Sequence, residues 1–283
     1  MNWIFTRYVA VSLLLGLLFV AHEPVAARSR DPGGHTNKGV KFARDKQYDK
    51  AIAEFTKAID AQPDDPKNYA NRALVYQLTG KREQAIGDFS KVIKLRPKDA
   101  DAYANRGQLE VEQGKLNPAI ADLTRAIELN PKNMNARRYR AYAFLQKRQW
   151  IKAIGDYSKV IEHSPDDFGA LERRGYAYRS LGKYDQAIAD FTKVIQARPK
   201  DAEAYRRRGL TYRMMPDYAR AADDFRKVLE LKPNDADAKS RLKYAEAKLH
   251  ASIPTTPISA QAVREARRKA LLKSSPTPSP TAH

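Results

Sequence analysis

Apolar and small residues return along this chain in a fixed register. Alanine stands at Ala51, Ala85, Ala119, Ala153, Ala187 and Ala221, and four residues on comes a ring or leucine: Phe55, Phe89, Leu123, Tyr157, Phe191 and Phe225. A small residue recurs at Gly39, Ala73, Gly107, Ala141, Gly175 and Gly209, with Phe42, Tyr76, Glu110, Phe144, Tyr178 and Tyr212 three residues beyond. Spacings of three and four put each set on one face of a helix. Prolines Pro63, Pro97, Pro131, Pro165, Pro199 and Pro233 are each 34 residues from the next. A period of this size marks a stacked repeat array. Small residues let two helix backbones approach, and the rings fill the space beside them.

Each copy therefore reads as two antiparallel helices. Asp31, Asp65, Asp99, Asn133, Asp167, Asp201 and Asp235 precede the first helices as N-caps, since their side chains accept from an orphan backbone N–H. Gly80, Gly114, Gly182 and Pro216 break the pair, and the proline column ends each second helix because proline cannot continue one. Asn117-Pro118 reads as the cap and first-turn proline of one second helix. Gly33 and Gly34 weaken the opening at Asp31-Pro32. Asp235 opens a last helix, 236–251, with Lys239 and Lys243 at the ring and small-residue positions, the polar cap a repeat array needs at its end.

The chain closely resembles the tetratricopeptide repeat family. The ring, small, alanine and proline positions that carry the likeness are Tyr103, Gly107, Ala119, Ala126 and Pro131 in one copy, and six copies follow the pattern: 32–65, 66–99, 100–133, 134–167, 168–201 and 202–235. Glu110 departs from it by replacing a ring, and Arg137 and His35 by replacing the leading aromatic; the copies with Arg137 and His35 are expected to stack slightly differently. The resemblance implies an all-α, right-handed superhelical solenoid whose first helices line a concave surface where partner peptides or helices lie.

A base and an acid run through the copies as a pair of columns: Lys38, Arg72, Arg106, Arg140, Arg174 and Arg208 on first helices, Glu54, Asp88, Asp122, Asp156, Asp190 and Asp224 on second helices. They are expected to form a structural ion-pair ladder that fixes register, contributing about 0–1 kcal/mol per exposed pair.

Residues 1–27 read as an export signal: Arg7, an apolar stretch Val9 to Ala21, and Val25-Ala26-Ala27 before a cut after Ala27. The expected location is periplasmic or secreted; the alternative is an uncleaved membrane anchor, for which the apolar stretch is short. Residues 28–31 are a lead-in. After the cap helix, 252–283 changes character: a Pro/Thr linker, a basic amphipathic segment with Arg264, Arg267, Arg268, Lys269 and Lys273, and a Ser/Thr/Pro-rich end expected to be disordered.

Charge narrows the partner. The chain carries 52 Lys and Arg against 33 Asp and Glu, a formal net charge of +19. Outside the cytoplasm, and without a nucleic-acid fold signature, that points to acidic protein segments, anionic lipid or anionic envelope polymers rather than nucleic acid. The chain has no cysteine, hence no disulfide framework and no thiolate metal site. No two of His22, His35, His163, His250 and His283 have metal-ligand spacing, and no HExxH, GxSxG or phosphate-loop pattern occurs. The expectation is a non-enzymatic scaffold with no cofactor and no small-molecule substrate. The alternative is an anion binder using the basic surface and tail.

Site residues follow from the resemblance, which places groove-facing side chains on the first helices opposite their partners. Early copies offer Asn71, Leu74, Asn105 and Gln108. Later ones offer Arg138, Tyr139, Tyr142, Arg173, Tyr176, Arg179, Arg206, Arg207 and Arg213, with Arg241 from the cap helix. Asn71 and Arg207 fall in columns where some family members clamp a C-terminal carboxylate. Thr36 and Val40 replace the Lys and Asn of that clamp, so its specificity is not carried over. The expected ligand is an acidic peptide or helix, held by guanidinium forks and tyrosine faces in copies four to six.

Overall fold

The computed structural model describes residues 34–251. The export signal, the lead-in and the basic tail lie outside the described residues. Within them the chain is all α-helix with no strand, thirteen helices in antiparallel pairs. The contacts divide them into two compact units, one ending at Pro199 and one beginning at Lys200.

The first unit holds five copies: α1 (His35–Arg44) with α2 (Tyr48–Ala61), α3 (Pro66–Leu78) with α4 (Arg82–Leu95), α5 (Ala100–Glu112) with α6 (Leu116–Leu129), α7 (Met134–Gln146) with α8 (Trp150–His163), and α9 (Phe168–Ser180) with α10 (Tyr184–Ala197). Each first helix packs on its own second helix, and each second helix on the next first helix; α1 and α3, α5 and α7, and α7 and α9 also meet directly. That places the first helices together on one side. Asp65, Asp99, Asn133 and Asp167 all cap through a side-chain oxygen, accepting from Lys67, Ala102, Ala136 and Ala170. Two starts differ from expectation. Gly34 takes a left-handed φ of 65° and α1 begins only at His35, past the Asp31-Pro32 junction. Asn117 does not cap α6, which begins at Leu116 after Lys115. Pro118 is still in the first turn, where a missing N–H leaves no intrahelical bond unmade.

The alanine and ring columns are the core: Ala51, Ala85, Ala119, Ala153 and Ala187 are wholly buried, as are Leu123, Tyr157 and Phe191. The small-residue column faces the rings more than the alanines. A Cβ on Gly175 would stand 2.9 Å from Phe191, and one on Gly107 2.8 Å from Leu123 and 3.2 Å from the Ala119 carbonyl. The turn between paired helices requires a left-handed residue. Gly80, Gly114 and Gly182 supply it, and Lys46 and Arg148 adopt it at the matching places.

The ladder forms, and it is more than a pair per copy. Arg72 donates through Nε and Nη2 to Asp88 at 2.8 and 2.9 Å, and through Nη1 to the Thr56 hydroxyl of the preceding copy at 2.9 Å. Arg106 joins Asp122 and Ser90, Arg140 joins Asp156 and Thr124, and Arg174 joins Asp190 and Ser158 in the same way. Each arginine is a fork on its own copy's acid and a staple to the copy before. The hydroxyl column, Thr56, Ser90, Thr124 and Ser158, is one residue after the ring column and was not anticipated. Lys38 is exposed, and Glu54 is held instead by Lys57 at 2.8 Å and His35 at 2.7 Å. Those bonds, Lys57 first, push the Glu54 carboxyl down to about 2. Two of the three copies that lack the leading tyrosine share one solution; the third has Leu171 there. His35 Nδ1 lies 2.7 Å from Glu54, and Arg137 approaches Asp156 at 3.7 Å, so a nitrogen-bearing side chain replaces the ring and meets the acid.

The second unit holds α11 (Ala202–Met214), α12 (Tyr218–Leu231) and α13 (Ala236–Ala251). Asp201 and Asp235 cap α11 and α13, and Arg208 forks onto Asp224 at 3.0 and 2.8 Å. Here the ladder ends. Arg226 stands where a hydroxyl would be and bonds Glu246 at 2.9 Å, and Leu242 occupies the arginine's place on α13. Lys239 and Lys243 are exposed, as a terminal cap requires.

Candidate functional site

The first helices of the first unit carry the candidate side chains, and their character changes from copy to copy. On α3 and α5 the polar residues are largely covered: Asn71 is 8% exposed and Gln108 9%, while Asn105 is half-buried. Gln108 donates to Glu112 at 3.2 Å, and Arg82 reaches the same carboxylate at 3.3 Å. Little of Asn71 is open to a partner.

On α7 and α9 the residues are larger and more open. Arg138 donates to Asp167 Oδ2 through Nε at 3.0 Å and Nη2 at 2.6 Å, and to Asn135 at 2.8 Å. It thereby links α7 to the cap of α9 while 38% of its side chain stays exposed. Arg173 lies over the Tyr142 ring at 5.7 Å and bonds the Gly169 carbonyl at 3.3 Å. Gly169 makes room for that fold-back, since a Cβ there would come within 3.2 Å of Arg173 Nη1. Arg179 lies over Tyr176 at 5.3 Å, and Trp150 meets the same ring edge-on at 5.8 Å. Tyr176 is exposed, and beside Trp150 the isoleucine Ile151 is 75% exposed. Burial pushes the phenol of Tyr139 well above its ordinary range, so it is a neutral donor.

The structure thus brings Arg138, Tyr142, Arg173, Tyr176 and Arg179 together on two neighbouring helices. Guanidinium groups stacked on rings are held in place by cation–π attraction. Carboxylates are the ligands such forks bind best. Trp150 was missed because it stands on a second helix; its sign in the sequence is a ring column, Tyr48, Trp150, Tyr184 and Tyr218.

In the second unit the predicted bases lie beside their own acids. Arg206 bonds Asp235 and Arg207 bonds Glu203 at 3.3 Å. Arg241 bonds Asp237 at 2.7 Å, and Arg213 lies over Tyr244 at 5.6 Å. Among the described residues no three His, Cys, Asp or Glu side chains gather to hold a metal ion, and no helix is long and apolar enough to cross a membrane.

Family models of the tetratricopeptide repeat match residues 36–65, 66–99, 100–133 and 172–236. No curated protein sequence matches the chain. Among solved structures, that of YrrB, described as a TPR protein with an unusual peptide-binding site, superposes with a TM-score of 0.63 at 23% identity, over 67% of this chain and 97% of that one. Two MamA structures superpose with TM-scores of 0.57 and 0.55 at 26% and 27% identity, over 61% and 58% of this chain and 94% and 96% of theirs.

Proposed function

The chain is a tetratricopeptide repeat protein, a scaffold for protein–protein contact, and from that premise we propose that it docks an acidic peptide or helix on the α7–α9 face. The observation that carries the reading is the set Arg138, Arg173 and Arg179, two of the three stacked on Tyr142 and Tyr176. Forks supply bidentate bonds to carboxylates, while the tyrosine and tryptophan faces pack on the ligand's apolar groups. We place this scaffold outside the cytoplasm, in the cell envelope or secreted, on the strength of Arg7, the apolar stretch and Val25-Ala26-Ala27. It uses no catalytic group in this reading.

The test is binding of acidic peptides measured by fluorescence anisotropy. Arg173→Glu combined with Arg179→Glu weakens affinity by about 2–5 kcal/mol where the forks are desolvated, with the helical far-UV spectrum unchanged. Affinity for the native chain falls as salt rises. Unchanged affinity in both experiments removes this face from consideration.

A further inference from the structure

Consecutive copies of the first unit also meet at their turns, through a polar contact that one junction lacks. The second residue of a second helix meets the turn of the next copy. Asp49 lies 3.6 Å from Lys81, Glu83 accepts from Gln113 at 3.0 Å, and Asn117 accepts from Lys147. In the same register α8 brings Ile151. The turn of the fifth copy brings Leu181 at the place of Gln113 and Lys147, and Lys183 at the place of Lys81.

Ile151 is 75% exposed. It stands in the first turn of a helix, where the dipole favours a carboxylate. Asp49, Glu83 and Asp185 supply one in α2, α4 and α10, whereas α8 has no acid in its first turn. A single exposed apolar side chain is ordinary on a protein surface. This one replaces a residue type that would serve both the helix and the junction, and it has apolar company. Trp150 precedes it and meets Tyr176 edge-on at 5.8 Å, and Tyr176 is itself 37% exposed. Bases stand around the group. Arg148 takes the left-handed turn before α8 with a φ of 56° and is exposed. Lys183 stands opposite an isoleucine where Lys81 has Asp49, and Arg179 lies over Tyr176 at 5.3 Å.

We propose that the junction of copies four and five takes one large apolar side chain of the docked partner, a leucine, isoleucine or phenylalanine, against Ile151, Trp150 and Tyr176. The inference rests on the proposed reading and deepens it: the partner is an amphipathic acidic segment rather than a polyacidic one. Two observations choose this occupant. Tyr176 and Arg179 belong both to the docking face and to the apolar group, so one segment reaches both. The bases beside the group complement carboxylates that flank the apolar residue.

The test is calorimetric titration of the full chain with two twelve-residue peptides, acetylated and amidated. They carry the same glutamates and differ only in a central leucine or serine. Ile151→Asn gives α8 the residue that α6 has at this place, removes the apolar surface without adding charge, and is expected to leave the melting temperature level. It should weaken the leucine peptide about tenfold, the effect of covering much of one isoleucine side chain, and leave the serine peptide unchanged. Trp150 gives a readout that needs no change at Ile151. In the Trp3→Phe chain it is the sole tryptophan, and its emission should move to shorter wavelength with the leucine peptide alone. Equal affinity of native and Ile151→Asn chains for the leucine peptide, with Arg173→Glu and Arg179→Glu still weakening both peptides, removes the apolar spot and leaves the docking face. Equal weakening of both peptides by Ile151→Asn, or an emission that the leucine peptide does not move, shows that the spot does not take the leucine. Self-association of the native chain that Ile151→Asn abolishes would make the group a contact between copies of this chain instead. Failure of the native chain to bind either peptide removes the docking face and the spot together.

Discussion

Glu110 is the one place where a ring position of the first helices holds a carboxylate. In the other copies with a ladder arginine that ring lies under it, as Tyr76 lies under Arg72 at 5.7 Å and Tyr178 under Arg174 at 5.6 Å. In the third copy Arg106 already forks onto Asp122, and Glu110 is added beside them, 9% exposed, with Oε2 buried and unbonded. Desolvation first and Asp122 second push its carboxyl above the ordinary value; Arg106 and Lys115 oppose them. A raised folded pKa means that the folded state holds this proton more tightly than the unfolded chain does. The contribution of Glu110 is thus favourable below the unfolded value near 4.5 and is lost as pH rises through the folded one. Glu110→Gln is expected to stabilise the chain at pH 7 by about 1–3 kcal/mol, because it removes a desolvated charge and keeps the shape. The gain shrinks as pH falls toward 4.5. Urea unfolding across that range measures it, and a gain independent of pH would place the cause elsewhere. The departure at Glu110 was visible as a break in a column. That its second oxygen is stranded was not, because satisfaction depends on side-chain placement. Tyr157 is the same lesson in reverse: one hydroxyl in a phenylalanine column looks conservative until its partners are counted, and among the described residues it has none.

Between elements, the arginine staples set how successive pairs stack. The base and acid columns, sixteen residues apart, were legible because no copy breaks them. The third partner was legible in principle, as a Thr or Ser column in the same period, but a hydroxyl on a helix surface has an ordinary reading as a solvated residue. Its role shows only when the next copy's arginine arrives. The Arg138–Asp167 link had a weaker sign, a spacing of 29 residues shared with Arg206–Asp235. The pairs are buried enough to matter: Arg72 and Asp88 side chains are 16% and 10% exposed, so the small surface-pair magnitude expected from sequence understates them. Removing one partner leaves the other desolvated and unpaired. Asp88→Ala is expected to cost about 3–5 kcal/mol, whereas Thr56→Val, which removes the neutral acceptor of Arg72 and a local donor to the Ile52 carbonyl, costs about 1 kcal/mol. Chemical unfolding of both variants checks the order; equal losses would mean that the bond to the preceding copy matters as much as the ion pair within one copy.

For the whole molecule the question is whether its basic character acts through the docking face or through the tail. The net charge is +19, and many of the array's guanidinium groups are engaged internally, in forks on Asp88, Asp122, Asp156, Asp190 and Asp224 and in the α9 cap. Net charge was legible from composition; which guanidinium groups are already engaged was not, since that depends on which acids each one reaches. Residues 252–283, outside the described residues, carry Arg264, Arg267, Arg268, Lys269 and Lys273 against Glu265 alone. Five bases near an anionic surface would each contribute about 1 kcal/mol of attraction, and the adjacent apolar residues add a small burial gain. If the chain binds anionic lipid, truncation after Ala251 should weaken binding to phosphatidylglycerol-containing vesicles by at least about tenfold, with the remainder lost as salt screens the surface. The same truncation should leave the affinity for capped acidic peptide unchanged, because every fork that would hold it lies on α7 and α9. Cosedimentation with vesicles and peptide anisotropy, run on the same two proteins, separate the effects. Loss of peptide affinity on truncation would show that the tail takes part in docking, and unchanged vesicle binding would place the lipid contact on the array itself.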